Sequence, residues 1–398
     1  MANILIVSTN RKLTNGASQC ILSMAEGIRA KGHDPVVAVT NGPLQRELER
    51  RGIHCENMLM GITLWKKPLK IQFNKKWKIF IARLYFGIVY TKGLFHVLRR
   101  IAIRYVDRRM SEIIEKHSID LVHINAVTSG FQSIEPIKRN IPLVWHIREF
   151  MESDLRSTFI SKRFSYDLIN KADAVIAISD AVKKRYEKNI HVPIHTIYDG
   201  VDIKRFHGKP SILGGKDIRL LIIGRVTESK GQLIAVQAVR LLRDKGIGVK
   251  LDIYGSVDDE AYIKKIRKFI SDNDLKNSVK IKGFAADMDK RLSEYDILCT
   301  ASKKEGFGLV TIEAKLAGLL VVGSASGAAR ELIENGMTGL LYSYKDGPFG
   351  MAKQIEWAAG HREEARSIAK KGREDAVFKF SLEKNIDEIL KVYNDLLD

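Results

Sequence analysis

Apolar residues along this chain form short continuous runs separated by longer segments of helical spacing. Runs of strand length recur at ILIVST (4–9), PVVAVT (35–40), DLVHIN (120–125), PLVWHI (142–147) and DAVIAIS (173–179). Between the first two, SQCILSMAEGIRAKGH places Ile21, Met24, Ala25 and Ile28 on one helical face and stops at Gly32. HTIYDGVD (195–202) closes this first set with a turn. Unbroken apolar strands alternating with helices predict a parallel sheet covered on both faces.

The pattern then restarts. IRLLIIG (218–224) precedes the helical GQLIAVQAVRLLRDKG, and VKLDIYG (249–255), VKIKGF (279–284), YDILCTAS (295–302) and LLVVGS (319–324) follow as strands. The closing SLEKNIDEILKVYNDLLD is an amphipathic helix. Pro210, Gly214 and Gly215 cluster where the two series meet, between residues 203 and 217. The expectation is an α/β chain of two doubly wound, Rossmann-like parallel-sheet domains facing across a cleft. They cover 1–207 and 208–377, and a helix over 378–398 crosses back to the first. Ligands of such sheets lie outside the carboxyl ends of the strands.

Composition narrows the class. With 398 residues, 45% of them hydrophobic, the chain has material for two ordinary cores. Eight prolines and no low-complexity linker argue against extended disorder. Cys20, Cys55 and Cys299 share no CxxC spacing, which leaves a zinc knuckle or disulfide framework unsupported and fits a reducing compartment. The first residues run straight into a strand pattern without a basic, then apolar, leader, so a cytoplasmic location is expected.

The formal charge is +19, and it is concentrated. Residues 66–109 hold 13 Lys or Arg and a single acid, Asp107. The surrounding segment, Trp65 to Met110, breaks the strand–helix alternation and mixes those cations with Trp77, Phe80, Tyr85, Phe86 and Phe95. Its longest charge-free run, Leu84 to Thr91, is far too short to span a bilayer. A basic, aromatic-rich stretch of this kind suits the surface of an anionic membrane, with a solvated helix pair as the plainer alternative. No nucleic-acid-binding motif accompanies it, and no nucleic-acid partner is expected.

Two stretches in the second half carry chemistry. GRVTESKG (224–231) ends a strand and opens a helix, with Arg225 and Lys230 between. Two cations beside the free N–H groups of a helix start suit a diphosphate, although a polar loop with two solvated cations reads equally well from this stretch alone. The order Lys230-Gly231-Gln232 is not that of a P-loop. Farther on, TASKKEGFGLVTIEAKLAG (300–318) runs from strand through loop to helix. Gly306 and Gly308 let the backbone approach a ligand. Glu305 in the loop and Glu313 in the opening turns of the helix suit sugar or ribose hydroxyls better than a hydrolytic pair, which must straddle a glycosidic bond.

The ordered pair, strand-GRxxxxKG and then strand-ExFGxxxxE-helix in the second of two α/β domains, resembles the GT-B glycosyltransferases, in particular the large retaining family numbered four. The likeness runs over essentially the whole chain. Asn15-Gly16 resembles the family's first glycine-rich loop, with one glycine where the family has two adjacent. WHIREF (145–150) is similar to the strand-end histidine segment. AISDAVKKRY (177–186) and IYDGVD (197–202) match further elements, Asp199 standing for the usual Asn.

The resemblance implies roles. Arg225 and Lys230 would neutralise the donor diphosphate and leaving group. Glu313 would take the ribose hydroxyls. Glu305 and the backbone of Gly306, Phe307, Gly308 and Leu309 would hold the transferring sugar and its phosphate. Gly283 and Phe284 would lie beside the base, Gly16 at the diphosphate, and His146 against the sugar near the reacting carbon. The implied activity is retaining hexosyl transfer from a nucleotide-diphosphate sugar, UDP-linked by preference. The acceptor would be a glycan, carried on a membrane lipid, in surface polysaccharide synthesis. The enzyme would dock peripherally on the inner face of the membrane. No cofactor or metal is expected. Asp287-Met288-Asp289 imitates a metal-binding DxD but reads as a helix N-terminal acid pair. The remaining histidines show no metal-ligand spacing, and His123 alone among them falls at a strand end near the cleft. A GT-B epimerase or phosphorylase, and a non-catalytic binder of anionic polymers or membranes, stand as alternatives.

Overall fold

The apolar runs become strands because unbroken Ile, Val and Leu segments bury both faces of a parallel sheet. The computed structural model describes residues 1–8, 10–11, 13, 16–58, 65–66, 92–127, 129–151, 158–159, 161–207 and 212–398. In chain order the first strands are β1 Asn3–Val7, β2 Asp34–Val39, β3 His54–Asn57, β4 Trp65–Lys66, β5 Leu121–Ile124, β6 Leu143–Ile147, β7 Thr158–Phe159, β8 Ala174–Ala177 and β9 Ile194–Thr196. Seven of them form a parallel sheet of order β3-β2-β1-β5-β6-β8-β9, and β4 pairs antiparallel with β7. The remaining strands are β10 Ile218–Ile223, β11 Val249–Tyr254, β12 Val279–Gly283, β13 Ile297–Thr300, β14 Leu320–Ser324 and β15 Leu340–Tyr342. They form a second parallel sheet of order β12-β11-β10-β13-β14-β15.

Both sheets reverse their winding direction once. The first steps outward from β1 to β3, returns to β5 beside β1, and proceeds to β9. The second steps from β10 to β12, returns to β13 beside β10, and proceeds to β15. A crevice at the carboxyl end of such a reversal is where doubly wound sheets take ligands.

The described residues divide into two compact units. One holds Met1–Ala177, Arg185–Thr196 and Ile389–Asp398; the other holds Ile178–Lys184 and Ile197–Glu388. The second unit thus begins ahead of the sequence-read boundary at 208 and keeps much of the closing helix, Leu382–Leu397. Its core packs Leu220, Ile222, Leu251, Ile253, Ile297 and Val322 from the sheet against Val236, Val239 and Leu242 of the helix Gln232–Asp244. Four strands escaped the sequence reading, among them the two-residue β4 and β7. His54–Asn57 is polar, and Leu340–Tyr342 is only three residues long.

The basic segment is only partly in view. Residues 67–91, which include the Leu84–Thr91 run, lie outside the described residues, as does Asn15. The helix Lys92–Lys116 carries Val106, Met110 and Ile113 on a fully buried face. Several of the nearby cations are paired: Arg108 and Arg109 with Glu112, Arg109 also with Glu56, and Lys138 with Asp107. Among the described residues, no helix is long and apolar enough to cross a membrane.

Candidate functional site

Two loops of the second unit meet at the β10/β13 reversal. The first leaves β10 at Gly224, makes a short turn over Glu228–Lys230, and enters the helix Gln232–Asp244 through Gly231. Gly231 has φ +70°, and a Cβ there would lie 2.3 Å from the carbonyl oxygen of Ala301 in the second loop. Only glycine meets both demands, the left-handed backbone and the close approach. The second loop leaves β13 and enters the helix Leu309–Leu316 through Gly308, whose φ is +109°. The Lys303 N–H donates to the Ser229 carbonyl at 3.0 Å, which ties the loops together.

The side chains that close the crevice are Lys230 and Glu305. The Lys230 ammonium donates to both carboxylate oxygens of Glu305, at 2.9 and 2.8 Å, and Ser302 Oγ adds a third bond at 2.7 Å. Burial alone raises the Glu305 pKa; the Lys230 charge and bonds, Ser302 and Arg225 outweigh it, and the net direction is downward. Glu305 is therefore an ionised acceptor, not an acid, at neutral pH. The cation and the carboxylate, given separate roles in the sequence reading, form one ion pair here.

Both N-cap residues are glycines and offer no side-chain acceptor, and in the first helix the Leu233 N–H is taken by the Tyr262 hydroxyl at 2.9 Å. The positive ends of the two helices favour a bound anion. Arg225 sits on the rim, half exposed and 3.4 Å from Asp258. Glu313, one turn into its helix, is partly buried, and its carboxylate makes no hydrogen bond or ion pair among the described residues. Desolvation raises its pKa, against the opposing pull of Arg205. A carboxylate held this way is short of donors, which vicinal hydroxyls can supply.

The neighbouring positions divide into exposed and packed. Gly283 ends β12 with φ +76°, and Phe284 beyond it is 53% exposed, an aromatic face left in solvent. Phe307, in contrast, is buried, stacked on Tyr198 at 5.8 Å and edge-on to Phe380. Its ring anchors the loop, so any ligand contact there belongs to the backbone. Ser179 Oγ donates to the Gly306 carbonyl at 2.6 Å, and the Glu331 carboxylate accepts from the N–H groups of Asp180 and Ala181, both at 2.8 Å. Sequence reasoning noticed the AISDAVKKRY segment but not this contact, because its partner lies 127 residues away.

Gly16 and His146 belong to the first unit. Gly16 is exposed and starts the helix Gly16–Ala30. His146, near the end of β6, has no solvent exposure, and its Nδ1 lies 3.3 Å from Nε2 of the equally buried His123. Neither histidine lines an open surface. The Asp287-Met288-Asp289 pair is engaged with arginines: Asp287 with Arg291 at 2.9 Å, one turn along the same helix, and Asp289 with Arg205 at 3.3 Å. Among the described residues, no group of three or more His, Cys, Asp or Glu side chains converges as metal ligands would.

A family model described as Glycosyltransferase Family 4 matches residues 14–205, and one described as Glycosyl transferases group 1 matches residues 204–375. The chain belongs to the family-4 glycosyltransferases. Among the relatives of this glycosyltransferase is an uncharacterised glycosyltransferase of Methanocaldococcus jannaschii, 25% identical over 292 residues, 72% of this chain and 78% of that one. The lipopolysaccharide core biosynthesis mannosyltransferase LpcC of Rhizobium leguminosarum is 30% identical over 58% of this chain and 66% of its own. Among solved structures, Anabaena HepE in complex with UDP and glucose shares the fold over 100% of both chains, with a TM-score of 0.77 and 22% identity. That likeness establishes the GT-B architecture of two Rossmann-like sheets.

Proposed function

We propose that this glycosyltransferase moves a hexosyl group, with retention at the anomeric carbon, from a UDP-sugar to a glycan acceptor in surface polysaccharide synthesis. The observation that carries the reading is the Lys230–Glu305 pair set beside two helix starts entered through glycine. A diphosphate placed there receives backbone N–H groups, the positive ends of two helices and the Lys230 ammonium. Arg225 closes on the phosphates from the rim, Glu313 accepts from the ribose hydroxyls, and the exposed Phe284 ring lies beside the base with Gly283.

Bond cleavage leaves charge on the departing diphosphate oxygen, where Lys230 and Arg225 stabilise it. Glu305, ionised and aligned by Lys230 and Ser302, orients the sugar through its hydroxyls. The acceptor hydroxyl attacks from the face that the diphosphate leaves, and the leaving phosphate oxygen takes its proton. No protein nucleophile takes part. His146 supplies a hydrogen bond to the sugar. Residues 1–207 would hold the acceptor, 208–377 the donor, and 378–398 return to the first part. UDP is favoured because the similar HepE was solved with UDP and glucose. A polysaccharide acceptor is favoured because LpcC is named for lipopolysaccharide core synthesis. We assign the basic 65–110 segment to an anionic membrane surface, where a lipid-linked acceptor would lie on the cytoplasmic face.

The test is nucleotide release from a panel of UDP-, GDP- and ADP-sugars, with and without glycan acceptor, followed by proton NMR of the new anomeric linkage. Acceptor-stimulated UDP release with a retained anomer is expected, and inversion would overturn the mechanism. Turnover unaffected by EDTA is expected, since no metal is invoked; recovery only with manganese would refute that part. An epimerase would interconvert nucleotide sugars without releasing nucleotide. A phosphorylase would need inorganic phosphate. A non-catalytic binder would release nothing. Vesicle co-sedimentation should require anionic lipid and weaken with salt; equal binding to neutral vesicles would overturn the membrane assignment.

A further inference from the structure

Three buried side chains of the first unit form a chain of hydrogen bonds that ends on one unpaired atom. Tyr393, from the closing helix, places its hydroxyl 2.7 Å from Nδ1 of His123. His123 Nε2 lies 3.3 Å from Nδ1 of His146. All three residues have no solvent exposure. His146 Nε2, at the far end, is buried without a partner among the described residues.

Both imidazoles are neutral. Burial, and then the Arg148 charge, holds the His123 pKa down to about 3 and that of His146 well below its ordinary value, with His123 itself adding to the second shift. The Asn125 side chain, which opposes the shift at His123, and Arg148 are the polar neighbours that face the pair. Each neutral imidazole carries one N–H, so only two arrangements of protons satisfy both short contacts. In one, the Tyr393 hydroxyl donates to His123 Nδ1, His123 Nε2–H donates to His146 Nδ1, and His146 carries its proton on Nε2. In the other every bond runs backwards, and the Tyr393 hydroxyl must accept.

The arrangements differ in what they leave unpaired. The first leaves one orphan, the His146 Nε2–H donor. The second leaves two, the phenolic proton of Tyr393 and the Nε2 lone pair of His146, because Tyr393 has no second acceptor among the described residues. A buried polar group without a partner is costly, so the first arrangement is favoured. We propose that Tyr393 is a positioning residue: acting through His123, it fixes His146 as the Nε2–H tautomer, a hydrogen-bond donor held for an oxygen of the sugar. Asn125 Nδ2 and Ser129 Oγ, in the loop after β5, are also buried and unpaired, as befits a neighbourhood that takes a polar ligand. Because His146 meets no solvent, the sugar reaches it only as a neighbouring side chain moves aside. This inference rests on the reading of His146 as a sugar contact, and its test separates the two.

The experiment is long-range proton–nitrogen NMR on the full chain labelled in its histidine rings, with His146 assigned by the signal lost in a His146→Phe variant. The parent should show His146 protonated at Nε2 and His123 likewise. In Tyr393→Phe, which keeps the ring and loses only the hydroxyl, His146 should populate both tautomers. Its kcat/KM should fall by about threefold to tenfold, the scale of one misaligned hydrogen bond. A thermal melt confirms that the variant is folded at the assay temperature. His146 protonated at Nδ1 in the parent, or tautomers unchanged in Tyr393→Phe, would overturn the proposal. If the tautomers shift as expected while His146→Phe turns over normally, the relay stands and the sugar contact of His146 fails.

Discussion

Replacing Lys230 by Met separates what the ion pair does for the fold from what it does for the reaction. Lys230 and Glu305 have side-chain exposures of 28% and 23%, so neither is fully screened by water. At an effective dielectric of about 20, unit charges about 3 Å apart attract by roughly 6 kcal/mol, most of which offsets their desolvation. Removing the cation alone strands a half-buried carboxylate with only Ser302 and costs about 3 kcal/mol. For a unit of this size that lowers Tm by about 6–12 °C. Turnover should fall by about 100- to 1,000-fold, because the charge on the leaving diphosphate loses its nearest cation. The double variant Lys230→Met/Glu305→Gln distinguishes the effects. It removes both charges at nearly constant volume, and stability should return to within about 1 kcal/mol of the parent. Turnover should stay at or below the level of the single variant, since the carboxylate assigned to the sugar is lost as well. Calorimetry and a coupled nucleotide-release assay, run on the same preparations, read both quantities. If turnover recovers together with stability, the reaction needs neither charge, and the assignment of Lys230 to the diphosphate fails.

Three further outcomes follow from the geometry. Glu313→Gln should raise the donor KM by about tenfold or more with a smaller effect on kcat, since a charged hydrogen bond to the ribose is lost. Because the folded-state pKa of Glu313 is raised, the native protein binds more protons in that window and its stability falls as pH rises through it; the Gln variant should therefore be the more stable at neutral pH, and an unchanged or lower Tm would contradict this. Gly231→Ala forces a left-handed alanine, costing about 1–2 kcal/mol, and drives its Cβ against the Ala301 carbonyl; a variant as stable and active as the parent would refute the close approach of the loops. Lys315 is fully buried, donating to the Leu332 carbonyl at 2.8 Å and to Asp375 at 2.6 Å, so Lys315→Ala should cost about 3–5 kcal/mol in denaturant unfolding.

The strands were legible because a buried parallel strand must be apolar throughout, and a run such as ILIVS leaves few alternatives. His54–Asn57 was not, because an edge strand with polar side chains carries no such signature. At the site, residue types and their order were legible: Gly231 and Gly308 do enter their helices in left-handed conformations, and Glu305 does sit in the connecting loop. The partners were not. Lys230 and Glu305 lie 75 residues apart, Ser179 and Gly306 127, and His123 and Tyr393 270. Such pairs are set by where parallel strands end, which periodicity does not encode. For Phe307 only the backbone was expected at a ligand, and its ring is packed against Tyr198 and Phe380, partners that the motif does not name.

The division of the chain into units has a consequence for its birth on the ribosome. The second unit is complete once Glu388 has been made, but the first still lacks Ile389–Asp398. Synthesis of the intervening Ile197–Glu388 takes roughly 10–40 s at about 5–20 residues per second. Throughout that interval the nascent first sheet holds His123 without the hydroxyl that pairs with it. The part of the molecule translated first is thus the last able to gather all its segments, and it waits for Ile389–Asp398 to do so.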